Sequence, residues 1–121
     1  MWEVGFTDEF GEWWDGLSVE EQKAVDGRVR LLATHGPNLR RPAVGEVKAS
    51  AFPQMKELRA SVGRAALRVL FVFDPRRHAI LLVGGNKAEG ERWNRWYLTA
   101  VPEADRLYRL YLEELREEGL I

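Results

Sequence analysis

The chain has 121 residues, a formal net charge of −1, no cysteine and two histidines. That length supports a single hydrophobic core and one domain over residues 1–121, and 45% hydrophobic with 31% charged residues is a globular composition. The absence of cysteine excludes disulfides, thiol nucleophiles and thiolate metal ligands. His35 and His78 are too few for a histidine-built metal site, and no apolar run reaches the roughly eighteen residues of a membrane span.

The N-terminus, MWEVGFTDEF, is acidic and lacks a signal-peptide pattern, so we expect a cytoplasmic protein with no metal, no cofactor and no membrane association. Charge is unevenly spread. Residues 1–35 hold three Lys/Arg against eight Asp/Glu, residues 36–92 eleven against five, and residues 93–121 four against six. A basic middle between acidic flanks can hold a polyanion although the total is near zero. The plainer reading is scatter of surface charge.

In chain order, residues 2–6 alternate apolar and polar and predict a short strand at a sheet edge. Thr7 is a helix N-cap, with Asp8 and Glu9 in the first turn where the helix dipole favours acids. Phe10, Trp13, Trp14 and Leu17 follow at helical spacing and predict about three turns with an aromatic stripe, read as core. Ser18 and Glu21 form a capping box for a second helix whose inner face carries Val25, Val29 and Leu32 and which stops at Gly36-Pro37. His35 suits the negative end of that helix and is read as a cap rather than a ligand. The short Leu17-Ser18 link predicts that the two helices form an antiparallel hairpin. Residues 37–53 contain three prolines and no clear period, and they expose Arg40, Arg41 and Lys48.

Residues 55–87 organise the chain. Three apolar runs, 55–60, 65–73 and 79–83, are separated by Ser61-Val62-Gly63-Arg64 and by Asp74-Pro75-Arg76-Arg77-His78, which predicts a three-stranded antiparallel meander. Alternation places Glu57 and Arg59 on one face of the first strand, and Arg68 among Ala66, Leu70 and Val72 on one face of the second. Like charges opposite one another on neighbouring strands repel. Two readings follow: Glu57 bridges the arginines as a structural ion pair, or Arg59, Arg68 and Lys87 line a cationic groove. Gly84-Gly85 ends the third strand and permits close backbone approach, but the Gly-x-x-x-x-Gly-Lys-Ser/Thr order of a P-loop is absent.

Residues 92–98 interleave arginine with Trp93, Trp96 and Tyr97 and predict a short helix or turn; such residues suit base stacking or core packing. Pro102 then opens or kinks a final helix striped with Leu107, Tyr108, Tyr111, Leu112 and Leu115, which Gly119 stops.

Five stretches occur in order: Lys48-Ala-Ser, Met55-Lys-Glu-Leu-Arg59, Arg68-Val-Leu-Phe-Val-Phe-Asp74, Leu82-Val-Gly-Gly-Asn-Lys87 and Pro102-Glu-Ala-Asp-Arg-Leu-Tyr108. Together they resemble the RelE/ParE toxin superfamily of bacterial type II toxin–antitoxin modules, in its HigB-like, phage-related branch. The likeness spans residues 48–115, and the helical hairpin before it also fits. It implies an α+β fold: an N-terminal helical hairpin packed on a small twisted antiparallel sheet, with a C-terminal helix. It also implies an mRNA endonuclease acting on message in the ribosome, and a cognate antitoxin, commonly a helix-turn-helix protein.

In the RNA-cleaving members, basic and aromatic residues of the concave sheet face do the work. Arg59, Arg68 and Lys87 match that pattern, with Lys48, Lys56, Arg64, Trp93 and Tyr97 as candidate RNA contacts. RNA is cut when its 2′-OH attacks the adjacent phosphate, a reaction that requires no metal. The arginine forks suit the phosphate oxygens. Lys87 or Lys56 with a lowered pKa, or Glu57, would serve as acid or base, and Tyr97 or Trp93 would stack on a base. The alternative is a ParE-like toxin, which shares the fold but binds and inhibits DNA gyrase without cutting RNA.

Overall fold

A computed structural model describes residues 1–88 and 95–121. In chain order the elements are β1 (Val4–Phe6), α1 (Asp8–Asp15), α2 (Val19–His35), one 3-10 turn (Gly36–Asn38), β2 (Val44–Glu46), β3 (Lys56–Val62), β4 (Ala65–Phe73), β5 (Ala79–Asn86) and α3 (Arg95–Glu117). The strands form one sheet in the order β1-β5-β4-β3-β2. The expected meander is its centre: β3, β4 and β5 pair antiparallel in sequence order. Gly63, at φ 54°, makes the first turn, a conformation that glycine adopts without a Cβ penalty. The second turn is built on Asp74, whose Oδ1 accepts from the N–H groups of Arg76 at 2.8 Å and His78 at 2.9 Å. Its Oδ2 accepts from the Tyr111 hydroxyl at 2.6 Å, tying the turn to α3.

The sheet divides the core. Phe10, Val25, Leu32, Leu58, Val69 and Phe71 pack on the side of α1 and α2. Met55, Leu70, Val72, Leu82, Ala104 and Tyr108 pack on the side of α3. Full burial of a Leu70 or Leu82 side chain is worth about 1.5–3 kcal/mol, so the two layers together hold the strands flat against the helices. One irregularity matters for the site. Leu70 pairs with Val83 while Phe71 pairs with Leu81, so Leu82 is an extra residue in β5. This bulge puts Leu82 and Val83 on the same side, and the alternation resumes with Gly84 toward α1 and Gly85 toward α3.

Three expectations are corrected. First, the strand expected over residues 2–6 is present as β1 at the sheet edge, but the two helices that follow do not form a simple leading hairpin. The capped starts at Thr7 and Ser18 are as read, with Thr7 accepting from the Phe10 N–H and the Ser18–Glu21 box closed in both directions. However, α1 rests on β5 and α2 on β3. The cause is Thr7: its N–H donates to Leu81 O at 3.0 Å and its hydroxyl to Leu82 O at 2.6 Å, which pins the start of α1 over β5. Second, the sheet is mixed rather than antiparallel throughout, because β1 runs parallel to β5. Third, Pro102 does not open the final helix: α3 starts at Arg95 and continues past the proline. The proline removes the N–H that the Leu98 carbonyl would accept, but both residues are exposed and water can replace that bond.

Candidate active site

Arg59 and Arg68 are direct register partners across β3 and β4. Both face α3. Two guanidinium groups so placed would repel, and the buried carboxylate of Glu57 offsets this. Arg59 Nε donates to Glu57 Oε2 at 2.7 Å, and Arg68 Nε lies 3.7 Å from the same oxygen. The other oxygen, Oε1, accepts from the Tyr97 hydroxyl at 2.5 Å. Arg68 also donates through Nη1 to Leu67 O at 2.9 Å, while its buried Nε makes no hydrogen bond among the described residues. One anion therefore holds two cations and a phenol, and the cluster keeps a positive excess.

Burial, then the hydrogen bond to Glu57, pushes the Tyr97 phenol up to about 12, so it stays a proton donor at neutral pH. Lys87 stands just past β5, where its N–H donates to Ala66 O at 3.0 Å. Its Nζ lies 5.8 Å from the centre of the Tyr97 ring. Burial, then the charges of Arg68 and Arg59, hold its pKa below the ordinary lysine value, although Glu57 pulls the other way.

Two glycines make room for this arrangement. A Cβ on Gly45 of β2 would overlap the Arg59 guanidinium, which therefore lies flat across the edge strand beside Glu57. A Cβ on Gly85 would overlap the Trp96 indole. Gly85 is the register partner of Arg68, so the bulge in β5 brings Trp96 down next to the arginine pair. Trp96 in turn meets Tyr97 edge-on at 5.0 Å. The pattern Gly84-Gly85 signalled close approach in the sequence; Gly45 carried no signal beyond its residue type.

The structure thus brings Arg59, Arg68, Lys87, Glu57 and Tyr97 together. It places the other candidates elsewhere. Lys56 shares the face of Leu58 and Ala60, away from Glu57, and lines a cleft with Arg40 and Arg41. Strand alternation alone already implied this, since neighbours in a strand point to opposite faces. Arg64 is exposed at the β3–β4 turn. Lys48 is exposed near Ser50, whose hydroxyl donates to the buried Asp105 of α3. Trp93 lies outside the described residues. No group of three or more metal-ligating side chains occurs among the described residues, and no helix among them is long and apolar enough to cross a membrane.

Residues 12–109 match the family described as Phage derived protein Gp49-like (DUF891). HigB3 of Mycobacterium tuberculosis (strain ATCC 25618 / H37Rv) is 45% identical over 93 residues, which cover 77% of this chain and 78% of that protein. HigB2 of the same organism is 38% identical over 118 residues, covering 94% of this chain but 58% of that protein. The names of both mark them as candidate toxins, and the chain spans less than two thirds of the length of HigB2. Among solved structures, the isolated E. coli RelE toxin is similar with a TM-score of 0.56 at 12% identity, over 84% of this chain and 97% of that one. RelE in the archaeal RelE–RelB complex from Pyrococcus horikoshii OT3 gives 0.54 at 13%, over 74% and 98%. At such identities the likeness is one of fold. The family match over most of the chain and the two relatives agree, and the chain belongs to the Gp49-like family, alongside the HigB-like proteins, on a RelE-like fold.

Proposed function

We propose that this chain is the toxin of a type II toxin–antitoxin module, that it cuts messenger RNA on the ribosome without a metal ion, and that a cognate antitoxin, a helix-turn-helix protein, neutralises it. The observation that carries this reading is the convergence of Arg59, Arg68, Lys87 and Tyr97 around one buried carboxylate on a single sheet face. Two of the structural neighbours are the E. coli RelBE toxin–antitoxin complex and an archaeal RelE–RelB complex, which supports the partner.

In the reaction, the Lys87 amine takes the proton of a ribose 2′-OH, which its lowered pKa favours. The O2′–P bond forms and the P–O5′ bond breaks, leaving a 2′,3′-cyclic phosphate. Arg59 and Arg68 face the oxygens of the phosphorane, where charge accumulates, and such electrostatic stabilisation is commonly the largest catalytic contribution. The leaving 5′ oxygen takes the proton of the Tyr97 phenol, which gives up its hydrogen bond to Glu57; water then returns a proton to the phenolate and takes one from the Lys87 ammonium. Both oxygens of Glu57 are occupied by donors, so we assign it to holding the arginines and the tyrosine in place rather than to the base role.

Induction of the chain in a bacterial host, with transcript ends mapped, tests the reading. Growth arrest with cuts in phase with codons is expected, and Arg68→Ala should abolish both. Arrest with intact messages and gyrase-linked DNA damage would instead establish the ParE-like alternative.

A further inference from the structure

We propose that the cleft beside β2 is a second nucleic-acid site, which grips the sugar–phosphate backbone of the RNA strand whose scissile bond lies at the Arg59–Arg68 pair. This rests on the endonuclease reading above. The cleft has a volume of about 540 Å³ and is lined by Leu39, Arg40, Arg41, Val44, Glu46 and Lys56, with Pro37 and the backbone of Gly45 completing it. Three cations face one carboxylate there. Among the described residues no aromatic ring lines it, and its cations suit phosphates rather than stacked bases.

Its position puts it next to the arginine pair. β2 is the edge strand, three residues long, and Gly45 belongs to both sites: it lines the cleft, and its missing side chain seats the Arg59 guanidinium. The turn that carries Arg40 and Arg41 is rigidly connected to the same arginine. Arg40 O accepts from the N–H groups of Ala43 at 3.1 Å and Val44 at 3.2 Å, and Ala43 O accepts from Arg59 N at 2.8 Å. A strand leaving the arginine pair over Arg59 therefore crosses one short β-strand to reach two exposed arginines. The cleft accounts for Lys56, which faces away from Glu57 yet belongs to the basic middle of the chain.

The test uses non-cleavable 2′-O-methyl RNA twelve nucleotides long, with binding to the full chain measured from 0.05 to 0.3 M salt. A single-strand phosphate contact contributes about 0.7 to the slope of log K against log salt. Arg40→Gln/Arg41→Gln should therefore flatten the slope by about 1.4 and weaken binding about 25-fold at 0.1 M salt. Arg40→Lys/Arg41→Lys should restore the slope, which a merely structural role of the arginines would not. A glutamine variant that melts like the native chain and keeps the native slope overturns the cleft while leaving the endonuclease reading intact. Native chain that neither binds the oligonucleotide nor cuts message overturns both. If polyglutamate displaces the RNA from native chain as well as unlabelled RNA does, the cleft is a docking surface for an acidic protein and the assignment to RNA falls.

Discussion

Replacing Glu57 by glutamine isolates the interaction on which the site's geometry depends. The side chain keeps its shape and one acceptor oxygen but loses its charge. Arg59 and Arg68, opposed in register, are then left facing each other without a counter-ion. Removing one partner of a buried ion pair costs about 3–5 kcal/mol. Arg68 fits that case with 11% of its side chain exposed, whereas Arg59, at 31%, is partly screened by water. The retained oxygen still accepts one bond, so the lower end applies: about 3 kcal/mol, or a melting temperature lower by roughly 10 °C for a domain of this size. Urea unfolding at pH 7 followed by circular dichroism gives the figure directly. The diagnostic is the double variant Glu57→Gln/Arg68→Gln, which removes the orphaned cation along with the anion and should be more stable than Glu57→Gln alone by about 1 kcal/mol or more. A Glu57→Gln chain within about 0.5 kcal/mol of native, or a double variant that loses the sum of the two single effects, would refute the claim that this carboxylate holds the arginine pair together.

Three further outcomes are expected. Gly45→Ala introduces a methyl where the Arg59 guanidinium lies, so the Arg59–Glu57 hydrogen bond should break; the nitrogen resonance of Arg59 Nε reports it, and an unmoved signal would disprove the seat. If the Lys87 amine is the base, kcat/KM rises with pH along a limb whose midpoint lies below the ordinary lysine value. The positive charge of Arg68 helps to depress that pKa, so Arg68→Gln should move the limb to higher pH even though the overall rate falls, and an unmoved limb would mean that another group titrates. Pro102→Ala should raise stability by about 1–3 kcal/mol in urea unfolding, because alanine restores a helical N–H at an exposed position; a loss of stability would mean that the proline shapes α3.

Local patterns were the legible part of the chain. The caps at Thr7 and Ser18 depend on atoms within three residues of each other, and the structure has both. The β3–β5 meander was readable from apolar runs and turn residues, and the period of two put Glu57, Arg59 and Arg68 on definite faces. The same rule applied to Lys56 separates it from Glu57, a signal present in the sequence from the start. The aromatic stripe of α1 marked Phe10 and Trp13 as inward-facing, and both lie in or against the core.

What the residue order determined alone is therefore what neighbours a few positions apart decide: the types of the long elements, the capped ends and the faces of β3 and β4. Tertiary packing decided the rest. The direction of β1 depends on a partner strand more than seventy residues away. The splay of α1 from α2 depends on Thr7 binding Leu81 and Leu82. The bulge at Leu82 reverses which helix Gly84 and Gly85 face, and so delivers Trp96 to the arginine pair. The second oxygen of Glu57 finds its donor on Tyr97, forty residues along the chain. A short strand or a single carboxylate has many partners of equal local merit, and only the simultaneous burial of both sheet faces selects among them.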